Sequence, residues 1–194
     1  EELQSAVENV DHAYYLIHSM RENNNEFVQK DQIAAKNFRD AAERCGVKRI
    51  IYLGGLGEKN DRMSSHLRSR REVGQLLTQG SVPVIRVRAA IILGTGSASY
   101  ELMKAMIVNN RYIPFLSEFN SRCQPIAIRD VIKYLVGVME TPDLSSCIYQ
   151  VGCKDILTYK EMIQSFAKIL NRNVRFIDVS WVPFPVQWMC RGYA

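Results

Sequence analysis

Three short apolar runs recur along the chain at nearly even spacing, and this repetition limits the folds available to it. The first is His12-Ala13-Tyr14-Tyr15-Leu16-Ile17-His18, the second Arg49-Ile50-Ile51-Tyr52-Leu53, which leads into Gly54-Gly55. The third runs from Pro83 to Leu93 and ends at Gly94. Each reads as a strand, rich in aliphatic and aromatic residues and stopped by glycine or a polar turn. Between them lie helical patterns. From Phe27 to Cys45, the residues Ala34, Phe38, Ala41, Ala42 and Cys45 fall on one helix face, and Gly46 supplies a stop. From Ser64 to Gln79, Leu67, Val73, Leu76 and Leu77 do the same before Gly80. The runs begin roughly 35 residues apart, the length of a strand–helix–strand unit. Two such units in succession predict parallel strands covered by helices, an α/β fold.

The second half is less regular. Tyr100 to Val108 reads as a helix, and Cys123 to Ile128 as a short strand whose Pro125 suits an edge. Asp130 is read as the cap of a helix over Val131 to Glu140, with Tyr134, Leu135 and Val138 on its apolar side. Cys147 to Val151 is another strand. Thr158-Tyr159-Lys160-Glu161 is a capping box opening a helix that ends near Leu170, and Val174 to Val179 alternates as a last strand would.

Composition narrows the functional classes. Of 194 residues, 47% are hydrophobic and 23% charged, which excludes a disordered chain or a coiled coil. No apolar run approaches the ~20 residues of a membrane helix, and no basic-then-apolar leader opens the chain. The net charge of +5 raises the question of a nucleic-acid partner. The basic residues are dispersed, however, and none is expected. Only Arg68-Ser69-Arg70-Arg71 is dense, and a solvated helix face is preferred there over phosphate contacts. Five cysteines without a CxxC pair, and three histidines, offer no zinc-ligand spacing. Reduced thiols in a cytoplasmic protein, with no metal, are the expectation. The end of the chain, Trp181 to Trp188, sets both tryptophans among prolines and apolar residues. Such a patch is expected to dock on a further C-terminal domain or on a subunit.

In order, these pieces resemble the short-chain dehydrogenase/reductase superfamily, in particular its extended and atypical branches, the epimerase-like and NmrA-like proteins. Tyr14 to Ser19 looks like the family's fourth sheet strand, Lys48 to Gly57 the fifth, and Arg86 to Gly94 the sixth with its turn. Arg122 to Val131 resembles the strand–helix junction of the small substrate domain, and Ile148 to Gly152 with Leu157 to Glu161 the late strand and helix opening. The resemblance implies a Rossmann-like, doubly wound parallel sheet over residues 1–98. Residues 99–194 would form mostly a small substrate subdomain, interleaved with that sheet. The family's glycine-rich phosphate turn is not found before His12, so the resemblance implies a chain missing its first part.

The resemblance further implies NADP or NAD as cofactor, and a small-molecule substrate carrying a carbonyl or alcohol and altered by hydride transfer. The cofactor would be lined by His18, Ser19, Met20, Gly54, Gly55, Leu56, Arg70, Ala89, Ala90 and Ile91. Arg122 is a further candidate for an anionic substrate group. The family's catalytic Tyr and Lys are spaced YxxxK. Here His66 and Arg70 occupy those places, and the expected serine falls in Gly54-Gly55. Residues four apart share a helix face, and a histidine titrates near ~6.5. A neighbouring arginine would favour its neutral form, a weaker acid than the imidazolium. An oxidoreductase or epimerase that relies on His66 therefore stands beside two other readings: an NmrA-like sensor that binds the cofactor without turnover, and an assembly factor on the same fold.

Overall fold

The structure, a computed structural model, describes residues 2–18, 26–57, 64–115 and 117–179. In chain order the elements are α1 (Glu2–Val7), β1 (His12–Tyr15), α2 (Glu26–Arg44), β2 (Arg49–Gly55), α3 (Ser65–Leu77), β3 (Val84–Ala89), β4 (Ile91–Leu93), α4 (Ala98–Asn109) and β5 (Tyr112–Phe115). A 3₁₀ turn, Ser117–Asn120, follows. Then come β6 (Arg122–Cys123), β7 (Pro125–Ala127), α5 (Ile128–Glu140), β8 (Cys147–Val151), β9 (Leu157–Thr158), α6 (Tyr159–Ile169) and β10 (Arg175–Asp178). The chain divides into two compact units. One holds Glu1–Ala90 and Asp130–Val151, the other Ile91–Arg129 and Gly152–Ala194.

In the first unit four strands pair in parallel in the order β1-β2-β3-β8. β2 lies inside this sheet and is buried on both faces from Arg49 to Tyr52, which is why its sequence is a continuous apolar run. On one face Ala13 and Tyr15 meet α2, where the small residues Ala35, Ala41 and Ala42 let the helix approach closely. The Tyr15 and Phe38 rings meet edge-on, 5.0 Å between centroids. The successive crossovers β1–α2–β2–α3–β3 step the same way along the sheet, so α2 and α3 share that face. Two bonds tie them: Gln32 Nε2 donates to Glu72 Oε2 at 2.9 Å, and Ser69 Oγ to Asp31 Oδ2 at 3.1 Å. On the opposite face Tyr14 donates its hydroxyl to the Leu135 carbonyl of α5 at 3.1 Å. Arg49, buried at the start of β2, donates through Nη1 to the carbonyls of Val138, Met139 and Thr141 at 2.9, 3.3 and 2.7 Å. Val138 and Met139 lie in the last turn of α5 and Thr141 just past its end, where helix carbonyls lack intrahelical partners and a cation is favoured. With helices on both faces, the sheet is the Rossmann-like, doubly wound α/β arrangement expected from sequence.

The second unit is built from strand pairs: β4 with β7 and β5 with β10 in parallel, β6 with β9 antiparallel. Its core gathers Met103 and Ile107 of α4, Ile113 of β5, and Met162, Ile163 and Ala167 of α6. The capping box is present in full. Thr158 Oγ1 accepts from the Glu161 N–H at 3.1 Å, and Glu161 Oε2 accepts from the Thr158 N–H at 2.7 Å.

Several sequence expectations are corrected. The run from Pro83 to Leu93 is not one strand. It breaks at Ala90, and its two parts belong to different units. Both parts are apolar because both enter a core, so hydrophobicity does not mark the boundary. The first strand stops at Tyr15, and Leu16 to His18 are exposed. The Cys123 to Ile128 strand is split at Gln124, whose Nε2 donates to the Cys153 carbonyl at 2.6 Å. Pro125 does fall on a strand paired along one side only, with β4. Asp130 is not a cap. It lies inside the first turn of α5, paired with Lys133 at 3.2 Å. Tyr134 faces outward, and Val131 takes its place with Leu135 in the core.

Candidate functional site

Because β1, β2, β3 and β8 are parallel, their carboxyl ends open along one edge of the sheet, where α/β folds bind ligands. β1 hands over there to Leu16, Ile17 and His18. β2 ends in Gly54 and Gly55, and Leu56 then donates its N–H to the Ala89 carbonyl at 2.8 Å, tying the end of β2 to that of β3. α3 starts beside this edge. Ser64 caps it, its Oγ accepting from the Leu67 N–H at 3.3 Å, which is the role expected for a serine at this point. A side chain at Gly55 would place its Cβ 2.7 Å from Leu67 Cδ2, so the Leu67 side chain would have to turn aside to admit one.

The cap sets His66 in the first turn of α3 and Arg70 one turn later. The His66 ring lies 6.5 Å from the His18 ring, inclined at 62°. Arg70 Nη2 donates to the Leu53 carbonyl at 2.6 Å, while its own carbonyl accepts from the Tyr52 hydroxyl at 2.7 Å. The guanidinium is thus pinned against the end of β2, and its buried Nε has no hydrogen-bond partner among the described residues. His66 is held below the usual imidazole range, chiefly by burial, then by the Arg70 charge and by His18, with Asp31 opposing. At neutral pH it is an uncharged imidazole, a proton acceptor more than a donor. Tyr52 is pushed above the usual phenol range by burial, so its hydroxyl keeps its proton and its bond to Arg70.

Of the residues expected at a cofactor site, the first unit brings together His18, Gly54, Gly55, Leu56, His66, Arg70, Ala89 and Ala90 at or beside this edge. Ala89 is buried and Ala90 half-buried. Ile91 opens the second unit. Ser19 and Met20 lie outside the described residues, as does the segment from Trp181 to Trp188. Arg122 is exposed on β6, close enough to Glu161 to help hold that carboxyl below its usual range, after the Thr158 bonds. Cys123 is a buried core residue. Among the described residues there is no group of side chains that could hold a metal ion, no disulfide, and no helix long and apolar enough to cross a membrane. The second unit contains a cavity of about 380 Å³ with an apolar lining that includes Tyr100, Met103, Met162 and Phe166.

The dense Arg68-Ser69-Arg70-Arg71 run is not a solvated face. Arg68 is exposed, but Ser69 is 1% exposed, and Arg70 and Arg71 turn into a cleft over the sheet that also receives Arg86 and Arg88. Sequence reasoning missed these last two. The signal was present: Val84-Ile85-Arg86-Val87-Arg88-Ala89 puts two arginines on one face of an otherwise apolar strand.

No family model matches the chain, and no curated protein does. Solved structures do. MoeE5, in complex with UDP-glucose and NAD, superposes with a TM-score of 0.75 at 14% identity, over 93% of this chain and 69% of that one. The UDP-N-acetylglucosamine 4-epimerase of Methanobrevibacter ruminantium M1, in complex with UDP-N-acetylmuramic acid, gives 0.73 at 11% identity, over 92% and 67%. The UDP-N-acetylglucosamine 4-epimerase of Bacillus cereus gives 0.75 at 13% identity, over 91% and 68%. The chain therefore spans about two thirds of the length of these structures and has their fold.

Proposed function

We propose that this chain, with the fold shared by NAD-bound MoeE5 and the UDP-N-acetylglucosamine 4-epimerases, belongs to a nicotinamide-dinucleotide-dependent protein. It would act on a small substrate at a carbonyl or alcohol carbon. The observation that carries this reading is the meeting of His66 and Arg70 with the carboxyl end of β2. The donor set fits such a cofactor. Arg70 has a buried Nε without a partner among the described residues and a fixed planar fork, suited to adjacent ribose hydroxyls. Gly54, Gly55 and Leu56 form the floor beside it, and Ala89 and Ala90 continue that floor at the end of β3. When bound, the nicotinamide supplies or takes the hydride.

The proton falls to His66. As a neutral imidazole it takes the proton of a substrate hydroxyl as the carbinol carbon is oxidised, and as imidazolium it returns one when a carbonyl is reduced. Its lowered pKa favours the acceptor role near pH 7. Absorbance assays of the full-length protein with candidate alcohols and either nicotinamide cofactor test this. Oxidation should lose activity as pH falls through the His66 pKa, below ~6.5. His66→Ala should reduce turnover by about 10²-fold or more. Unchanged turnover in that variant refutes the assignment.

A second reading is supported by one observation. The end of β2 carries no hydroxyl, and the nearby Tyr52 hydroxyl is committed to the Arg70 carbonyl. A site so arranged also suits a sensor that binds the cofactor without turning it over. Saturable cofactor binding without turnover across a substrate panel would favour the sensor.

A further inference from the structure

The face of the first unit's sheet under α3 carries a further cluster of basic side chains. Register places Arg86 opposite Tyr52 of β2 and Ile148 of β8, and Arg88 opposite Gly54. Alternate residues of a strand share a face, so both arginines rise toward α3, where Arg70 and Arg71 come down. Together they line a cleft of about 210 Å³ in which four guanidinium groups converge and no carboxylate takes part. Glycine makes the room. A Cβ at Gly74 would lie 3.0 Å from Tyr52 Cε1 and 3.3 Å from Arg86 Cδ.

The four arginines are not equivalent. Arg88 is spent on the strand end, donating from Nε to the Gly55 carbonyl at 3.0 Å and from Nη2 to that of Gly57 at 2.5 Å. Arg70 is tied to the Leu53 carbonyl. Arg71 and Arg86 form no ion pair or hydrogen bond with the described residues, and the Arg86 Nε is buried without a partner. Burial, then the charges of Arg88 and Arg71, lowers the Arg86 pKa, with Cys147 opposing. Like charges gathered in a partly dry cleft raise the folding cost, and an anion would relieve it.

Geometry and size select the anion. Guanidinium forks match phosphate oxygens two at a time, with charge-assisted bonds. The cleft is smaller than the ~300–1,000 Å³ of sites that enclose whole ligands. It suits a charged group rather than a dinucleotide. We infer that Arg71 and Arg86, with Arg88 and Arg70 fixed beside them, bind the phosphoryl or diphosphate group of a small phosphorylated molecule, in a cleft that borders the strand-end edge at Gly54, Gly55 and Arg70.

Inorganic pyrophosphate is the first probe, titrated calorimetrically into the full-length protein in ~0.1 M salt. Saturable binding is expected, weakened by added salt and displaced by orthophosphate. Arg71→Gln and Arg86→Gln should each weaken it at least tenfold, while nicotinamide cofactor binding stays within twofold of wild type. Arg86 is half-buried, so circular dichroism confirms its variant's fold, and Arg71→Gln, on the helix, carries the test if Arg86→Gln unfolds. Absence of saturable pyrophosphate binding overturns the inference. So does undiminished binding in Arg71→Gln, or a parallel loss of cofactor affinity in that variant, which would place the arginines in the cofactor site.

Discussion

Arg49 is the most exposed point of the structural reasoning, because a charge is buried there with only carbonyls to face. Its Nη1 meets two carbonyls at 2.7 and 2.9 Å and a third at 3.3 Å. Bonds from a charged donor contribute about 1.5–3 kcal/mol each by mutation, and the long contact adds little. Replacement by methionine keeps most of the volume but leaves the last carbonyls of α5 unanswered. Against that loss stands the desolvation cost of the guanidinium, several kcal/mol, which methionine does not incur. The balance predicts that Arg49→Met destabilises the protein by about 2 kcal/mol. For a chain of this size that corresponds to a Tm lower by about 4–8 °C.

Arg49→Lys keeps a charged donor at the helix end, but its amine replaces the planar guanidinium whose Nη1 meets the three carbonyls, and should cost about 1 kcal/mol. Arg49→Ala also loses the packed stem and should cost about 3 kcal/mol. Urea unfolding followed by circular dichroism measures all three. A methionine variant within ~0.5 kcal/mol of wild type would refute the reasoning, since that is the scatter of ordinary surface changes. A lysine variant as unstable as the methionine one would also refute it.

Other outcomes follow from single contacts. The folded-state pKa of His66 is lowered, so the unfolded chain binds its proton more readily. The contribution of His66 to stability is therefore complete above ~6.5 and lost as pH falls through the folded-state value. Urea midpoints measured from pH 8 to pH 5 should show part of this acid loss vanish in His66→Gln, and an identical profile in both proteins would count against it. Thr158→Ala removes one arm of the capping box and should cost about 1 kcal/mol in the second unit, read by the same unfolding assay. No loss there would mean that solvent satisfies the first turn of α6 equally well.

Which features were readable from sequence depends on whether a residue's neighbours along the chain are also its neighbours in space. β2 was legible because burial on both faces makes its sequence continuously apolar, and α2 because its alanines and Phe38 repeat at helical spacing. The Ser64 cap and the Thr158 box were legible for the same reason: their partners lie three residues away. The break at Ala90 was not, since Ala89 and Ile91 are both apolar and the change of unit leaves no mark on hydrophobicity. The outward turn of Tyr134 was not, since aromatic residues serve both cores and surfaces. At the candidate site, the spacing of His66 and Arg70 was visible. The convergence of Arg71 with Arg86 was not, because it depends on the register between β2 and β3 and on α3 crossing above them.

The account rests most heavily on cofactor binding at the end of β2, and one titration tests it directly. NADP and NAD, each in oxidised and reduced form, would be titrated calorimetrically into the full-length protein and its Arg70→Ala variant. The account predicts saturable binding of at least one of them, weakened tenfold or more when the Arg70 guanidinium is removed. Absence of binding by the folded full-length protein, or equal affinity in the variant, would contradict it.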